Sequence, residues 1–335
     1  MSLIIAKNIK ISGMATTVPE LSSIEAFESF LEVKVRRSPF EQTSSDLAFD
    51  AGQRIIENKG LDLDQVGALL FISRTPDYRS PNTAAVLQGR LGLSIDCACY
   101  DINKGSNGFQ TGLVTAASIL NAINKKYALV LFGDTPSKFN HEQTYFSKID
   151  SDAGSAVLLE KVGEEHLEIS SFHQSFGERF RDFAVPKGGF RGYNPSILFD
   201  STDKDNFNLV FEREKIQGFL KSNLEKFKDE VEDFFPENST RVFHSQLPLL
   251  GCTNQHESSL FVIKEFGNTY CSNIPLQLEF FAKQKSSGGN FAFSCVSFGE
   301  GLELSFIGFS IDALDILPTH VSNEFFEDFR VNHDM

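Results

Sequence analysis

Tryptophan is absent from the 335 residues, methionine occurs three times and cysteine only five times. The cysteines, Cys97, Cys99, Cys252, Cys271 and Cys295, are odd in number and too sparse for a disulfide framework. The opening stretch MSLIIAKNIKISG lacks the basic start, long apolar run and small-residue cleavage site of a secretory signal, so a reducing, cytoplasmic setting is expected. Positive charge is also scarce: 31 Lys and Arg stand against 45 Asp and Glu, a net charge of −14. Such a chain has no general attraction for phosphate backbones or anionic lipids, and neither nucleic acid nor a membrane is an expected partner. The longest clean apolar runs, Ala68–Ile72 and Tyr127–Phe132, have strand length and fall far short of the roughly 18 residues of a membrane helix.

What is abundant is phenylalanine, 34 residues spread along the whole chain, which reads as core filling rather than as one aromatic surface. Aliphatic runs alternate with helical patterns through the first half, the signature of an α/β fold with parallel strands and crossover helices. Val66–Ser73 and Tyr127–Phe132 are apolar throughout, as central strands covered on both faces should be. Ser44–Asn58 carries Leu47, Ala51 and Ile55 at helical spacing, with Ser44 or Ser45 as cap and Gly60 as stop, and Asn82–Leu91 is a second helix. A long helix over Ser106–Ile123 is Ala- and Gly-rich and nearly free of charge, which places it, and its first turn, deep in the protein.

From His173 to Asn206 the character changes, with Gly, Pro and Arg crowding FGERFRDFAVPKGGFRGYNP, an excursion between two halves. The second half opens with an amphipathic helix over Phe211–Phe234. The strand TRVFHSQ follows, then a helix over Ser258–Phe266, the loop GNTYCSNIP, and strands over Phe291–Ser297 and Leu302–Ser310. The expected organisation is an N-terminal half over 1–172, the excursion over 173–206, a C-terminal half over 207–310 and an acidic extension over 311–335. Within that extension, NEFFEDF has the pattern of a short amphipathic helix.

Four clusters have chemical potential, each with a plainer structural reading. In KGSNGF, Ser106 is either a nucleophile at the head of the buried helix or its N-cap, and Gly105 and Gly108 would let a substrate come close. His244 directly follows a short apolar strand, where α/β folds place site residues, though a structural histidine fits the position too. Asn268 in FGNTYC either points its amide into a cavity or caps its own turn. The Gly299-Glu300-Gly301 turn offers backbone N–H groups to an oxyanion or closes an ordinary hairpin. Cys97-Ala98-Cys99 has no second pair at zinc spacing, so no metal is expected, and Walker, Rossmann and HExxH patterns are absent from the sequence.

Taken in order, TSSDLAFDAGQRIIE, YDINKGSNGFQTGL, DAGSAVLLE, VFHSQ, FGNTYCSNIP and SFGEGLELSFIG resemble the motifs of the β-ketoacyl-acyl carrier protein synthase III branch of the thiolase-like superfamily, over roughly residues 1–310. The resemblance implies a five-layered αβαβα fold of two similar halves, a homodimer, and a pantetheine tunnel ending at a nucleophile. It places the catalytic triad on Ser106, His244 and Asn268, with Ser106 where the family has cysteine. It also implies an oxyanion hole from the backbone of Ser106, Glu300 and Gly301, and substrate contacts at Gly105, Gly108 and Leu247. The substrate would be an acyl-coenzyme A or acyl-carrier-protein thioester, with no further cofactor. The acceptor would be a malonyl group on the carrier, or a hydroxyl, amine or thiol.

The serine alters the chemistry. A thiol near pKa 8.5 becomes largely thiolate with help worth at most about 2 kcal/mol from a helix dipole. An alcohol needs a general base, for which His244 is the motif-matched candidate. The alternative is a non-catalytic subunit pairing with an active synthase. The family's tryptophan that stacks on the coenzyme A adenine is missing, and Leu247 replaces an asparagine that contacts pantetheine. An acidic carrier would need a basic patch, for which Lys34, Arg36 and Arg37, or Arg179, Arg181, Lys187 and Arg191, are candidates.

Overall fold

The computed structural model describes residues 3–27, 31–138, 146–163, 168–186, 209–234, 239–244, 246–252, 257–284 and 289–327. The strands are β1 (Leu3–Lys7), β2 (Ile9–Val18), β3 (Leu21–Phe27), β4 (Leu31–Arg36), β5 (Val66–Ile72), β6 (Ala98–Ile102), β7 (Tyr127–Asp134), β8 (Ala153–Lys161), β9 (Glu168–Ser175), β10 (Phe183–Ala184), β11 (Val210–Phe211), β12 (Thr240–Phe243), β13 (Asn290–Gly299), β14 (Glu303–Asp312) and β15 (His320–Val321). The helices are α1 (Ser44–Lys59), α2 (Thr83–Arg90), α3 (Gly108–Ala122), α4 (Arg213–Val231), α5 (Gln246–Leu249), α6 (Glu257–Phe266) and α7 (Asn273–Gln284).

Two five-stranded arrays, β2-β8-β7-β5-β6 and β1-β9-β14-β13-β12, are joined through a single parallel pairing of Ile311 with Ile11. The first array has the expected α/β core, with β5 pairing in parallel to both β6 and β7. Three apolar clusters show how the layers stack. Ala48, Ala51 and Ile55 of α1 and Ala84 and Leu87 of α2 cover one face of the first array. Phe109, Leu113 and Leu120 of α3, with Ile274 and Leu278 of α7, fill the space between the arrays, against Leu70, Ile72 and Phe132 on one side and Phe293 and Phe309 on the other. Ile216, Leu220 and Phe227 of α4 and Ile263 of α6 cover the far face of the second array. The order is αβαβα, and the phenylalanines fill it, each fully buried ring contributing roughly 1.5–3 kcal/mol.

The central position of α3 follows from its sequence. A Cβ on Gly112 would fall 2.8 Å from both Ile72 and Phe132, so the helix can lie against β5 and β7 only with glycine there. Gly108 is used in the same way, its absent Cβ falling 2.8 Å from Ile72.

Other boundaries differ for identifiable reasons. The cap of α1 is Thr43, whose N–H donates to Asp46 at 2.9 Å, whereas Ser44 and Ser45 turn away to bond Thr75 and Asp77. The halves are not consecutive pieces of chain, because β1 and β9, both before residue 176, pair in the second array. Residues 323–327 of NEFFEDF form no helix: the Phe326 N–H donates to Asp46 and the ring lies under Arg90. The last two residues of that motif, and 187–206 of the excursion, lie outside the described residues. Among the described residues no helix is long and apolar enough to cross a membrane.

Candidate active site

Strand ends and the turns that follow them build the site. At the end of β6 the chain passes through Lys104 and Gly105 into a turn, closed by the Gly108 N–H on the Gly105 carbonyl at 2.8 Å, and α3 starts two residues after Ser106. Ser106 is therefore in the turn that feeds the helix, and Asn107 is the cap position. Both are wholly buried, and neither polar atom of the Asn107 carboxamide has a hydrogen-bond partner among the described residues. His244 sits directly after β12, and Gln246 opens α5.

Asn268 is fixed from both sides: its N–H donates to the Ile149 carbonyl at 2.7 Å and its carbonyl accepts from the Ser151 N–H at 3.0 Å. The preceding Gly267 makes this possible. It adopts φ +71°, and a Cβ there would sit 2.4 Å from Ser151 Oγ.

The structure brings Ser106, His244 and Asn268 into one buried cluster, but not in the expected contact. Ser106 Oγ donates to Gln246 Oε1 at 3.1 Å. Gln246 Nε2 donates to Asn268 Oδ1 at 3.0 Å, and Asn268 Nδ2 donates to Asp150 Oδ1 at 2.8 Å, which also accepts from the Tyr270 hydroxyl at 2.9 Å. His244 stands beside this chain of bonds. Its Nε2 donates to the Tyr270 carbonyl at 2.9 Å, and its Nδ1 accepts, at 3.4 Å, from the Gln246 N–H.

The tautomer is thus set with the proton on Nε2, and burial pushes the His244 pKa down to about 4, against a partial offset from the Tyr270 carbonyl. The expectation of His244 as the base on Ser106 is corrected in this geometry: the imidazole is neutral, weakly basic and presents a donor.

A cavity of about 1080 Å³ approaches this cluster and stops short of it. Gly105, Glu300 and Gly301 line it, as do Phe180, Phe183 and Val185 from the described part of the excursion, whereas Ser106, His244 and Asn268 lie behind its wall. Arg74 and Glu300 form part of that wall. Arg74 Nη1 pairs with Glu300 Oε1 at 3.3 Å and the guanidinium stacks 3.9 Å over the Tyr270 ring. Burial works against the Arg74 charge, yet Tyr270, Glu300, Asp134 and Asp150 around it hold its pKa above the ordinary value. Asp134 accepts from the Arg74 N–H and from Cys271 Sγ; burial raises its pKa to about 6 despite the arginine. Burial, then Asp134, raises the Cys271 thiol, so the cysteine nearest this network is held as a thiol.

The remaining sequence candidates divide. Gly105 lies at the cavity, its missing Cβ occupied by the Glu300 carboxylate at 2.3 Å. Gly299-Glu300-Gly301 closes the β13–β14 hairpin, with Gly301 at φ +76° and its N–H donating to the Phe183 carbonyl at 2.9 Å. The Gly301 N–H is therefore engaged and is no oxyanion donor in this geometry. Leu247 packs in the apolar layer under α4 and does not line this cavity. Of the basic candidates, Lys34 pairs with Glu265 at 2.7 Å, Arg36 donates to the Pro19 carbonyl, and Arg179 pairs with Asp182. Lys187 and Arg191 lie outside the described residues.

Gln246, Asp150, Arg74 and the Glu300 side chain escape sequence reading. The only local signal is that Gln246 follows His244 by two residues; the Arg74–Glu300 pair spans 226 positions and has none.

Comparison with known proteins gives the same frame. The family model for 3-oxoacyl-[acyl-carrier-protein (ACP)] synthase III matches residues 100–176, which include the turn carrying Ser106. A 3-oxoacyl-(acyl-carrier protein) synthase from Burkholderia xenovorans LB400 superimposes with a TM-score of 0.82 at 23% identity, covering 96% of this chain and 99% of that one. FabH, the 3-oxoacyl-(acyl carrier protein) synthase III of Pseudomonas aeruginosa PAO1, does so with a TM-score of 0.67 at 19% identity, over 90% of this chain and 98% of its own. A single-residue variant of OleA from Xanthomonas campestris gives 0.73 at 16%, over 91% and 97%. The chain therefore has the thiolase-like fold of these proteins, and its residues 100–176 carry the sequence pattern of the 3-oxoacyl-ACP synthase III family.

Proposed function

We propose that the protein is an acyl-thioester-processing enzyme of the 3-oxoacyl-ACP synthase III kind, in which Ser106 receives an acyl group from an acyl-coenzyme A or acyl-carrier-protein thioester. A malonyl-carrier, hydroxyl, amine or thiol acceptor would then take it. The observation that carries this reading is the gathering of Ser106, His244 and Asn268, from three distant parts of the chain, into one buried polar cluster behind a large cavity.

In the acylation step the Ser106 Oγ–carbon bond forms and the carbon–sulfur bond breaks, and the serine proton ends on the departing thiolate. His244, with a pKa near 4, is too weak a base to retain that proton at neutral pH. With its Nε2–H on the Tyr270 carbonyl, its role is instead to hold the turn that carries Asn268, whose amide hydrogen not used by Asp150 is the donor to a thioester carbonyl. The Asn107 carboxamide, which lies against Gly299 and has no hydrogen-bond partner among the described residues, is the candidate donor for the oxyanion in place of Gly301. The reading includes a cytoplasmic homodimer that needs no separate cofactor. One edge of β6 has no strand partner among the described residues, and a second copy could extend it.

A second reading, a non-catalytic thiolase-fold subunit that pairs with an active synthase, is favoured by one contact: Ser106 donates to an amide and, among the described residues, to no base. Intact-protein mass spectrometry with a panel of acyl-coenzyme A and acyl-carrier thioesters separates the two. The enzyme reading expects an acyl adduct that disappears in Ser106→Ala. No adduct with any donor, on either the native chain or Ser106→Cys, would defeat it in favour of the pairing subunit.

A further inference from the structure

Gln246 takes part in the site without belonging to the expected triad. It is wholly buried, as are Ser106 and Asn268, and its carboxamide bridges them with bonds of 3.1 and 3.0 Å. Its backbone is held in place by the N–H bond to His244 Nδ1 and by the Leu250 N–H donating to the Gln246 carbonyl at 3.0 Å.

A primary carboxamide has the outline of a thioester's reacting end, a carbonyl with a heteroatom beside it, but amide resonance makes it a poor electrophile. Here its carbonyl oxygen accepts a hydrogen bond from the Ser106 hydroxyl and its NH2 group donates to Asn268. It thus occupies the space between the nucleophile and the amide that an acyl carbonyl would have to enter.

We propose that Gln246 is a positioning residue that controls access to Ser106. Its side chain stands in for the acyl carbonyl in the resting site, and acyl transfer to Ser106 requires it to rotate away and release both bonds. The inference deepens the acyltransferase reading and rests on it for the identity of the incoming group. Occupation of the space itself can be measured without any acyl donor.

The test uses Ser106→Cys as a reporter and compares its rate of alkylation by iodoacetamide with that of Ser106→Cys/Gln246→Ala. Peptide mass mapping separates the thiol introduced at position 106 from the five native cysteines, and circular dichroism verifies the fold. At least a tenfold faster labelling of the introduced thiol is expected in the double variant, with a smaller rise for Gln246→Met, which keeps the volume and removes the bonds. Equal rates in folded Ser106→Cys and Ser106→Cys/Gln246→Ala would overturn the proposal. Should the alanine variant not fold, Gln246→Ser, which leaves a hydroxyl for Asn268, answers the same question.

Acyl-adduct formation is measured alongside. Faster labelling with no adduct in any variant would uphold Gln246 and defeat the enzyme reading. Equal labelling with an adduct on the native chain would do the reverse.

Discussion

Replacing His244 by Gln converts the state of one buried ring into a measurable pH dependence. The imidazole is wholly buried, its Nε2–H is committed to the Tyr270 carbonyl, and its pKa is lowered to about 4. In the unfolded chain the same ring titrates near 6.5. Between those values the unfolded state binds a proton that the folded state refuses, so stability falls as pH is lowered from about 6.5 to about 4 and is level outside that window. The two values lie about 2.5 pH units apart, which at 1.36 kcal/mol per unit gives a loss of about 3 kcal/mol. The substituted side chain keeps a donor at the Nε2 position and has nothing to titrate.

Urea unfolding of the native and His244→Gln chains at half-unit steps from pH 7 to pH 4 reads the effect as a difference. Relative to the native protein, the variant should gain about 1.4 kcal/mol of stability per pH unit on acidification below 6.5. Groups common to both chains cancel. A difference that stays flat across the window would refute the buried neutral ring. A midpoint near 7 would restore His244 as a base poised for Ser106.

Asp134 gives the opposite sign. Its pKa is raised to about 6, so between that value and the ordinary 3.8 the folded state holds a proton that the unfolded state has lost, and the native chain should gain about 3 kcal/mol over Asp134→Asn on acidification through this range, again by urea titration. A Cβ at Gly105 would fall 2.3 Å from Glu300 Oε1, and Gly105→Ala must displace the carboxylate from Arg74; a loss of about 1–3 kcal/mol is expected, and an unchanged urea midpoint would show that the pair moves freely.

What could be read from the chain was whatever period and local chemistry decide. The charge-poor pattern of α3 announced a helix buried deep in the protein, and the apolar runs of β5 and β7 announced strands covered on both faces. The ordered motifs placed Ser106, His244 and Asn268 in one region, and the fold brings them together. What could not be read is which partner each group chooses. Gln246 lies 140 positions from Ser106 and 22 from Asn268, so its bridge exists only once three elements have docked. The Glu300 carboxylate lies in a turn whose glycines drew attention to the backbone, yet its side chain fills the space at Gly105. The NEFFEDF pattern has helical spacing, but a bond to Asp46 and the Arg90 guanidinium outweigh so short a helix.

The placement of β1 and β9 in the second array bears on how the chain is made. As it leaves the ribosome, α1, β5, α3, β7 and β8 can assemble with β2 from contiguous sequence, whereas β1 and β9 await β14, at residues 303–312. Until then β9 carries only β1, a two-stranded ribbon with an open edge that other chains can extend. The last fifth of the sequence thus closes a sheet begun by the first ten residues. Synthesis that stalls before β14 would release a nascent chain with a finished first array beside an adhesive strand, the kind of intermediate that chaperones retain.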